Sequence, residues 1–213
     1  MWSEANGPTH QAIEDIALMS GIPQMGVFCP ADEDDLLIGL ESILKSPQPF
    51  YIRYTNAPRV VKHNTQFSIG TAEMFGEHGD ITIITYGALL QQAFAAAEIL
   101  STKGISVSIV NVRCLKPIDE EALLIASQRA TLVVTLEDHF LRGGLYSSLC
   151  EILVRHSAHA NILPIGFDER WFTPALLADV LKHEGLDGRS IAQRIEEYLD
   201  TFSATESWQI QYS

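Results

Sequence analysis

Short segments that are apolar almost throughout alternate with amphipathic helical patterns along most of the chain, and that alternation admits few folds. Ile81–Tyr86, Ile105–Val112, Leu132–Leu136 and Asn161–Ile165 have the composition of strands covered on both faces. Helical patterns lie between them over Leu89–Leu100, Asp119–Gln128 and Gly144–Arg155, and two more, Thr173–His183 and Arg189–Phe202, close the series. In the first of these, Leu89, Leu90, Ala93, Phe94, Ala97 and Leu100 form the inward stripe and Gly104 the stop. Such strands separated by helices predict an α/β fold, a parallel sheet layered between helices on both faces.

A smaller unit of the same kind comes first. Thr9 as N-cap, a stripe of Ile13, Ile16 and Ala17, and Gly21 as stop predict a short helix over His10–Ser20. Met25–Cys29 is the expected strand, and Asp32 caps the next helix. Its first turn holds Glu33, Asp34 and Asp35 where the macrodipole favours them, and its apolar stripe is Leu36, Leu37, Leu40, Ile43 and Leu44. Pro47 and Pro49 break that helix before a second strand, Phe50–Tyr54, so residues 25–54 form a β-α-β crossover with parallel strands. One helix and one crossover leave sheet edges open, so this unit predicts a partner, either further sequence or another polypeptide. Residues 57–79 are polar, without sustained periodicity, and are expected to link the two units.

A net charge of −13 argues against nucleic acid or anionic membrane as a partner, since both are polyanions. Cys29, Cys114 and Cys150 are widely spaced and sit in apolar runs, which predicts reduced packing residues and no metal cluster. The first twenty residues lack the basic start and apolar core of a signal peptide, and no apolar run approaches the roughly eighteen residues of a membrane helix. A cytoplasmic protein is expected.

Few residues invite chemistry. His10, at an expected helix start, could hydrogen-bond a hydroxyl or carbonyl, or be a cap. Arg53 interrupts an apolar strand near its C-terminal end, where ligands of open α/β sheets collect. It could clamp a phosphate, or pair with a carboxylate such as Asp32. Glu137-Asp138-His139, followed by Arg142-Gly143-Gly144, could bind an anion or form a polar interface corner. Neither nucleotide-loop spacing nor a serine or cysteine nucleophile pattern occurs, and nothing here completes a catalytic centre unaided.

Asn6-Gly-Pro-Thr-His-Gln11, Glu14–Met19, the Ile22–Asp32 stretch and Pro49–Tyr54 together resemble the end of the pyrimidine-binding domain of transketolase and of its relative deoxyxylulose phosphate synthase. Asp80–Leu100, Ser106–Asp119, Thr131–Leu153 and Ile162–Phe167 resemble the transketolase C-terminal domain. The resemblance implies residues 1–56 as the C-terminal part of a pyrimidine-binding domain, a linker at 57–79, a three-layer α/β/α transketolase C-terminal domain at 80–202, and a tail at 203–213.

It further implies one component of a split, thiamine-diphosphate-dependent transketolase that moves a two-carbon ketol unit from a ketose or its phosphate to an aldose acceptor. Partner chains would supply the diphosphate-binding domain and the first part of the pyrimidine domain, including the activating glutamate. They would mainly hold thiamine diphosphate and Mg or Ca, so no cofactor-binding residue is named on this chain and no metal ligand is expected, and such assemblies would pair as dimers. His10 would line the substrate channel, and Arg53 would hold a substrate phosphate. Asn6 stands where the family usually has an aspartate that contacts a substrate hydroxyl, which points to an altered substrate. The alternatives are a deoxyxylulose phosphate synthase-like or other acyloin-forming component, and a non-catalytic assembly subunit.

Overall fold

The computed structural model describes residue 2 and residues 5–59, 61–77 and 79–211, with side chains up to residue 201. After a 3₁₀ turn at Pro8–His10 come α1 (Asp15–Ser20), β1 (Gly26–Phe28), α2 (Glu33–Lys45) and β2 (Phe50–Ile52). The second series is β3 (Glu73–Phe75), β4 (Ile81–Thr85), a 3₁₀ turn at Gly87–Leu89, α3 (Leu90–Ser101), β5 (Val107–Asn111) and β6 (Cys114–Lys116). It continues through α4 (Glu120–Arg129), β7 (Leu132–Phe140), α5 (Leu145–Arg155), β8 (Ile162–Phe167), α6 (Leu177–Glu184) and α7 (Gly188–Gln211). Most of the expected tail therefore continues α7, and residues 212 and 213 lie outside the described residues.

The larger sheet has the order β3-β5-β4-β7-β8, parallel except for β3. Leu90, Ala93, Ala96 and Leu100 of α3 pack with Ile191 and Ile195 of α7 on one face. Leu123 of α4 and Leu149 and Ile152 of α5 lie in the core of the other. This is the expected three-layer arrangement. Close approach of α7 to α3 needs Gly188, where a Cβ would stand 2.5 Å from that of Ala95.

The smaller sheet is β2-β1-β6. β1 and β2 are parallel, as the crossover pattern requires, with Gly26 opposite Phe50. β6 was not foreseen: it is three residues long, follows β5, and runs antiparallel to β1. β3, inside the expected linker, was also not foreseen and pairs antiparallel with β5. Both are too short to show a period. β6 joins the two units and β3 ties the expected linker to the larger sheet, and the cores join the units too: Ile16 and Val27 pack in one cluster with Ile84, Val110 and Leu149.

Three sequence expectations change. The first α-helix begins at Asp15, so Thr9 is not its cap and His10 lies in a separate 3₁₀ turn closed by its own N–H on Gly7 O at 3.0 Å. β7 runs four residues further than expected and carries Glu137, Asp138 and His139 into the interior. On α2 the buried face is Asp35, Gly39 and Ile43, while Leu37 and Leu44 remain 60% and 74% exposed. A Cβ at Gly39 would meet the Phe28 ring at 2.3 Å, so α2 lies flat on β1 by its glycine, which turns the leucines outward.

Candidate functional site

The Asn6–Gln11 loop forms an exposed rim. Gln11 Nε2 donates to Asn6 O at 2.6 Å, and Thr9 Oγ1 stands 2.9 Å from His10 Nδ1. Gly7 packs against Pro174, where a Cβ would come within 2.7 Å of the ring. Asn6 and His10 are both exposed. Their side chains can therefore meet a ligand arriving from outside.

Below the rim, Gln11 and Ala12 lead into a cavity of about 230 Å3 lined also by Trp2, Asp15, Tyr51, Arg53, Tyr54, Thr55, Gly87 and Asp138. Arg53 leaves the end of β2 and spreads its fork between the two units. Nε donates to both Asp15 oxygens at 3.1 and 2.9 Å, and Nη1 to Asp138 Oδ1 at 2.6 Å. Nη2 donates to Ala12 O at 3.1 Å and Asp138 O at 3.2 Å. The guanidinium also lies 5.7 Å from the Tyr86 ring centre. Burial disfavours the ions, but Arg53 and Asp138 outweigh it for each other: the Asp138 carboxyl is held below the usual range and Arg53 is still more firmly protonated than usual. The ion-pair reading of Arg53 holds, with Asp15 and Asp138 as partners in place of Asp32.

The end of β7 is an interface corner. Asp138 holds Arg53 by one oxygen and accepts from Trp2 Nε1 by the other at 2.7 Å. His139 Nε2 accepts from Ala17 N at 3.3 Å, and Phe140 N donates to Ile13 O at 3.1 Å, which fixes α1 and the loop before it. Glu137 caps α5, accepting from Leu145 N at 2.8 Å and Tyr146 N at 3.0 Å. That helix start is thus filled by the chain's own carboxyl group. Burial pushes Glu137 up to about 8 from the ordinary 4.5, against the pull of those two N–H groups.

A second buried polar cluster, which sequence reading missed, joins α2 to β3 and β5. Asp32 caps α2 through Asp35 N at 3.0 Å. His63 lies between Asp32 Oδ2 (3.2 Å) and Glu73 Oε2 (2.7 Å). Arg113 reaches Asp35 Oδ1 at 2.7 Å and Glu73 Oε1 at 2.9 Å, the first as an ion pair without hydrogen-bond alignment. Burial opposes a charged His63, but the Glu73 hydrogen bond and the charge of Asp35 outweigh it, so its pKa is raised. Ligand atoms of Asp35, His63 and Glu73 lie within 4.8 Å of one another, the donor set of a cation site. Here Arg113 and His63 already compensate these carboxylates, so the cluster does not fit a bound metal. Its one sequence signal is the polar Asn111 and Arg113 flanking an apolar strand.

Glu137 and His63 both bind a proton more tightly folded than unfolded. Each contribution is complete below the unfolded pKa and lost as pH rises through the folded one. Tm should therefore fall between about pH 6 and pH 9, by the equivalent of about 2–3 kcal/mol from Glu137 alone. Calorimetry over that range checks this: Glu137→Gln should flatten the fall, and a Tm that holds or rises contradicts it.

Among family models, the transketolase pyrimidine-binding domain matches residues 3–57 and the transketolase C-terminal domain residues 70–191. The putative transketolase C-terminal section of Methanocaldococcus jannaschii is 35% identical over 196 residues, covering 90% of this chain and 61% of that protein. A 1-deoxy-D-xylulose-5-phosphate synthase of a Synechococcus species is 33% identical over 213 residues, covering 97% of this chain and 33% of that one. A structure described as a split-gene transketolase, inactive β4 tetramer, superposes with a TM-score of 0.82 at 32% identity, covering 90% of this chain and 63% of that one. The chain spans about three fifths of the length of the M. jannaschii protein and a third of the synthase. No helix among the described residues is long and apolar enough to cross a membrane.

Proposed function

This chain belongs to the transketolase family, and on that premise we propose that it is the C-terminal component of a multi-chain, thiamine-diphosphate-dependent transketolase. The assembled enzyme would transfer a two-carbon ketol unit from a ketose, or its phosphate, to an aldose acceptor. The likeness to a transketolase C-terminal section and to a split-gene transketolase supports the multi-chain reading, and the small sheet supports a missing pyrimidine-domain segment. β2 is its edge strand, with β1 as its neighbour, and α2 beside it exposes Leu37 and Leu44. Parallel edges of this kind are covered in folded proteins, and another polypeptide carrying the rest of a pyrimidine domain would cover this one. The proposed division is residues 1–56 as the pyrimidine-domain part, 57–79 as the linker and 80–202 as the C-terminal domain, with most of the expected tail 203–213 continuing its last helix.

Among the described residues, the carboxylate and histidine group at ligand spacing does not fit the metal that accompanies thiamine diphosphate. It is sealed by Arg113. We therefore assign the cofactor and its Mg or Ca to partner chains, and to this chain the handling of substrate. Exposed His10 and Asn6 would hydrogen-bond substrate hydroxyl or carbonyl groups and orient them. Arg53 would form the floor of the cavity that Gln11 and Ala12 lead into.

In the enzyme reconstituted with its partner chains, His10→Ala should lower kcat/KM with a ketose donor about 100-fold while leaving assembly intact. Undiminished turnover removes His10 from the site. The similarity to a deoxyxylulose phosphate synthase supports a second reading, in which the donor is a 2-oxo acid. Turnover with pyruvate but not with a ketose would decide for it.

A further inference from the structure

Resting on the reading that Asn6 and His10 handle substrate, we propose that His139 is a positioning residue for their rim: from the larger unit it fixes where α1 begins, and so where the loop carrying His10 stands. Ala17 N and Ile13 O are the pair whose hydrogen bond would start α1 one residue earlier, at Glu14. Both are taken up by β7 instead. Ala17 N donates to His139 Nε2 at 3.3 Å, and Phe140 N donates to Ile13 O at 3.1 Å. The helix therefore begins at Asp15, and Glu14 before it stands outside helical geometry at φ −125° and ψ 3°, without capping α1 by its side chain. The missing cap comes from 122 positions away.

The partners of His139 fix its tautomer. Nδ1 lies 2.6 Å from Phe140 O, a carbonyl that can only accept, so Nδ1 carries the proton and Nε2 presents a bare lone pair to Ala17 N–H. The ring is fully buried, and Glu137 Oε2 stands 4.0 Å from Nδ1, beyond hydrogen-bond reach. The same seam is tight beside it: a Cβ at Gly143 would stand 2.7 Å from that of Ala17, so α1 rests on the turn that follows β7. Toward the rim the chain runs from Ile13 through Ala12, whose carbonyl accepts from Arg53 Nη2, to His10. With its acceptor removed, Ala17 N–H turns to Ile13 O, which adds one residue to α1 and draws the loop before it along by about 1.5 Å. Side chains that orient a substrate lose their hold over such a distance.

Kinetics of the enzyme reconstituted with its partner chains test this. His139→Leu, which fills the space without an acceptor, should raise KM for a ketose donor about tenfold and leave kcat within about twofold. His139→Gln, whose Oε1 can stand where Nε2 does, should recover most of the loss. A merely structural role would reduce the amount of active enzyme, lowering kcat with KM unmoved, and that result overturns the proposal, as does a leucine variant that matches the parent. NMR of the full chain without partners gives a second reading. The His10 ring resonances should move in His139→Leu and return toward the parent in His139→Gln; resonances that stay in place overturn the proposal. Nitrogen-15 spectra of the unmodified chain in neutral buffer should show His139 protonated at Nδ1 and bare at Nε2, and a proton on Nε2 overturns it even where the leucine variant does not fold. These spectra read the chain alone, so an assembly that turns over no ketose fails the transketolase reading while the spectra still decide the role of His139 at the rim.

Discussion

Arg113→Met should destabilise the chain by about 3–5 kcal/mol and lower its Tm by roughly 10 °C or more. Arg113 is 3% exposed at its side chain and is the cation held between Asp35 and Glu73, themselves 0% and 5% exposed. Removing it leaves two carboxylates in the interior with His63 alone to compensate them, and uncompensated buried charge costs far more than the pair contributed. Arg113 Nη2 also donates to Asn64 O at 3.2 Å, and its guanidinium lies 5.7 Å from the Phe67 ring centre, so the linker loosens with it. Adding Asp35→Asn should recover part of the loss, because it removes one stranded charge and keeps the side chain's shape. Calorimetric Tm values for the single and double variants check this. A single variant within a degree or two of the parent contradicts the account.

Arg53→Met should cost about 3 kcal/mol and act on how the two units hold together. Arg53 bridges Asp15 of α1 and Asp138 of β7, and among the described residues it is the one cation that lines the cavity. With it gone, two carboxylates face each other across the junction. Amides of α1 and of the β7 end, among them Ala17 N and Phe140 N, should exchange hydrogen markedly faster while the centre of β4 keeps its protection. Arg53→Lys should recover only a fraction, since an ammonium cannot span both carboxylates with a planar fork. Uniform exchange across the molecule, or none, would show that Arg53 is not the tie between the units.

Much of the fold was legible. Ile81–Thr85, Val107–Asn111 and Leu132–Leu136 announce central parallel strands because both faces of each are covered, which leaves no polar side to blur the signal. Asp32 was readable as a cap because capping is local: it accepts from the N–H three residues on. The α2 leucines misled, since periodicity identifies an apolar face without saying what covers it. Of the site residues, Asn6, His10 and Arg53 were named from sequence, but Arg53's partners were not. Asp15 and Asp138 lie 38 and 85 positions away from it, and nothing local distinguishes a strand arginine bound to a ligand from one bound to its own chain.

The sequence by itself determined the layered α/β architecture and the parallel crossover. These follow from periodicity, capping and residue type, all short-range along the chain. Tertiary structure alone decided that β6 completes the first sheet, that His63, Asp35, Glu73 and Arg113 form one charge network, and that the positive charge of Arg53 is spent on Asp15 and Asp138. Those are pairings of charge and hydrogen bonds between distant segments, whose energies depend on distance and burial in the folded chain.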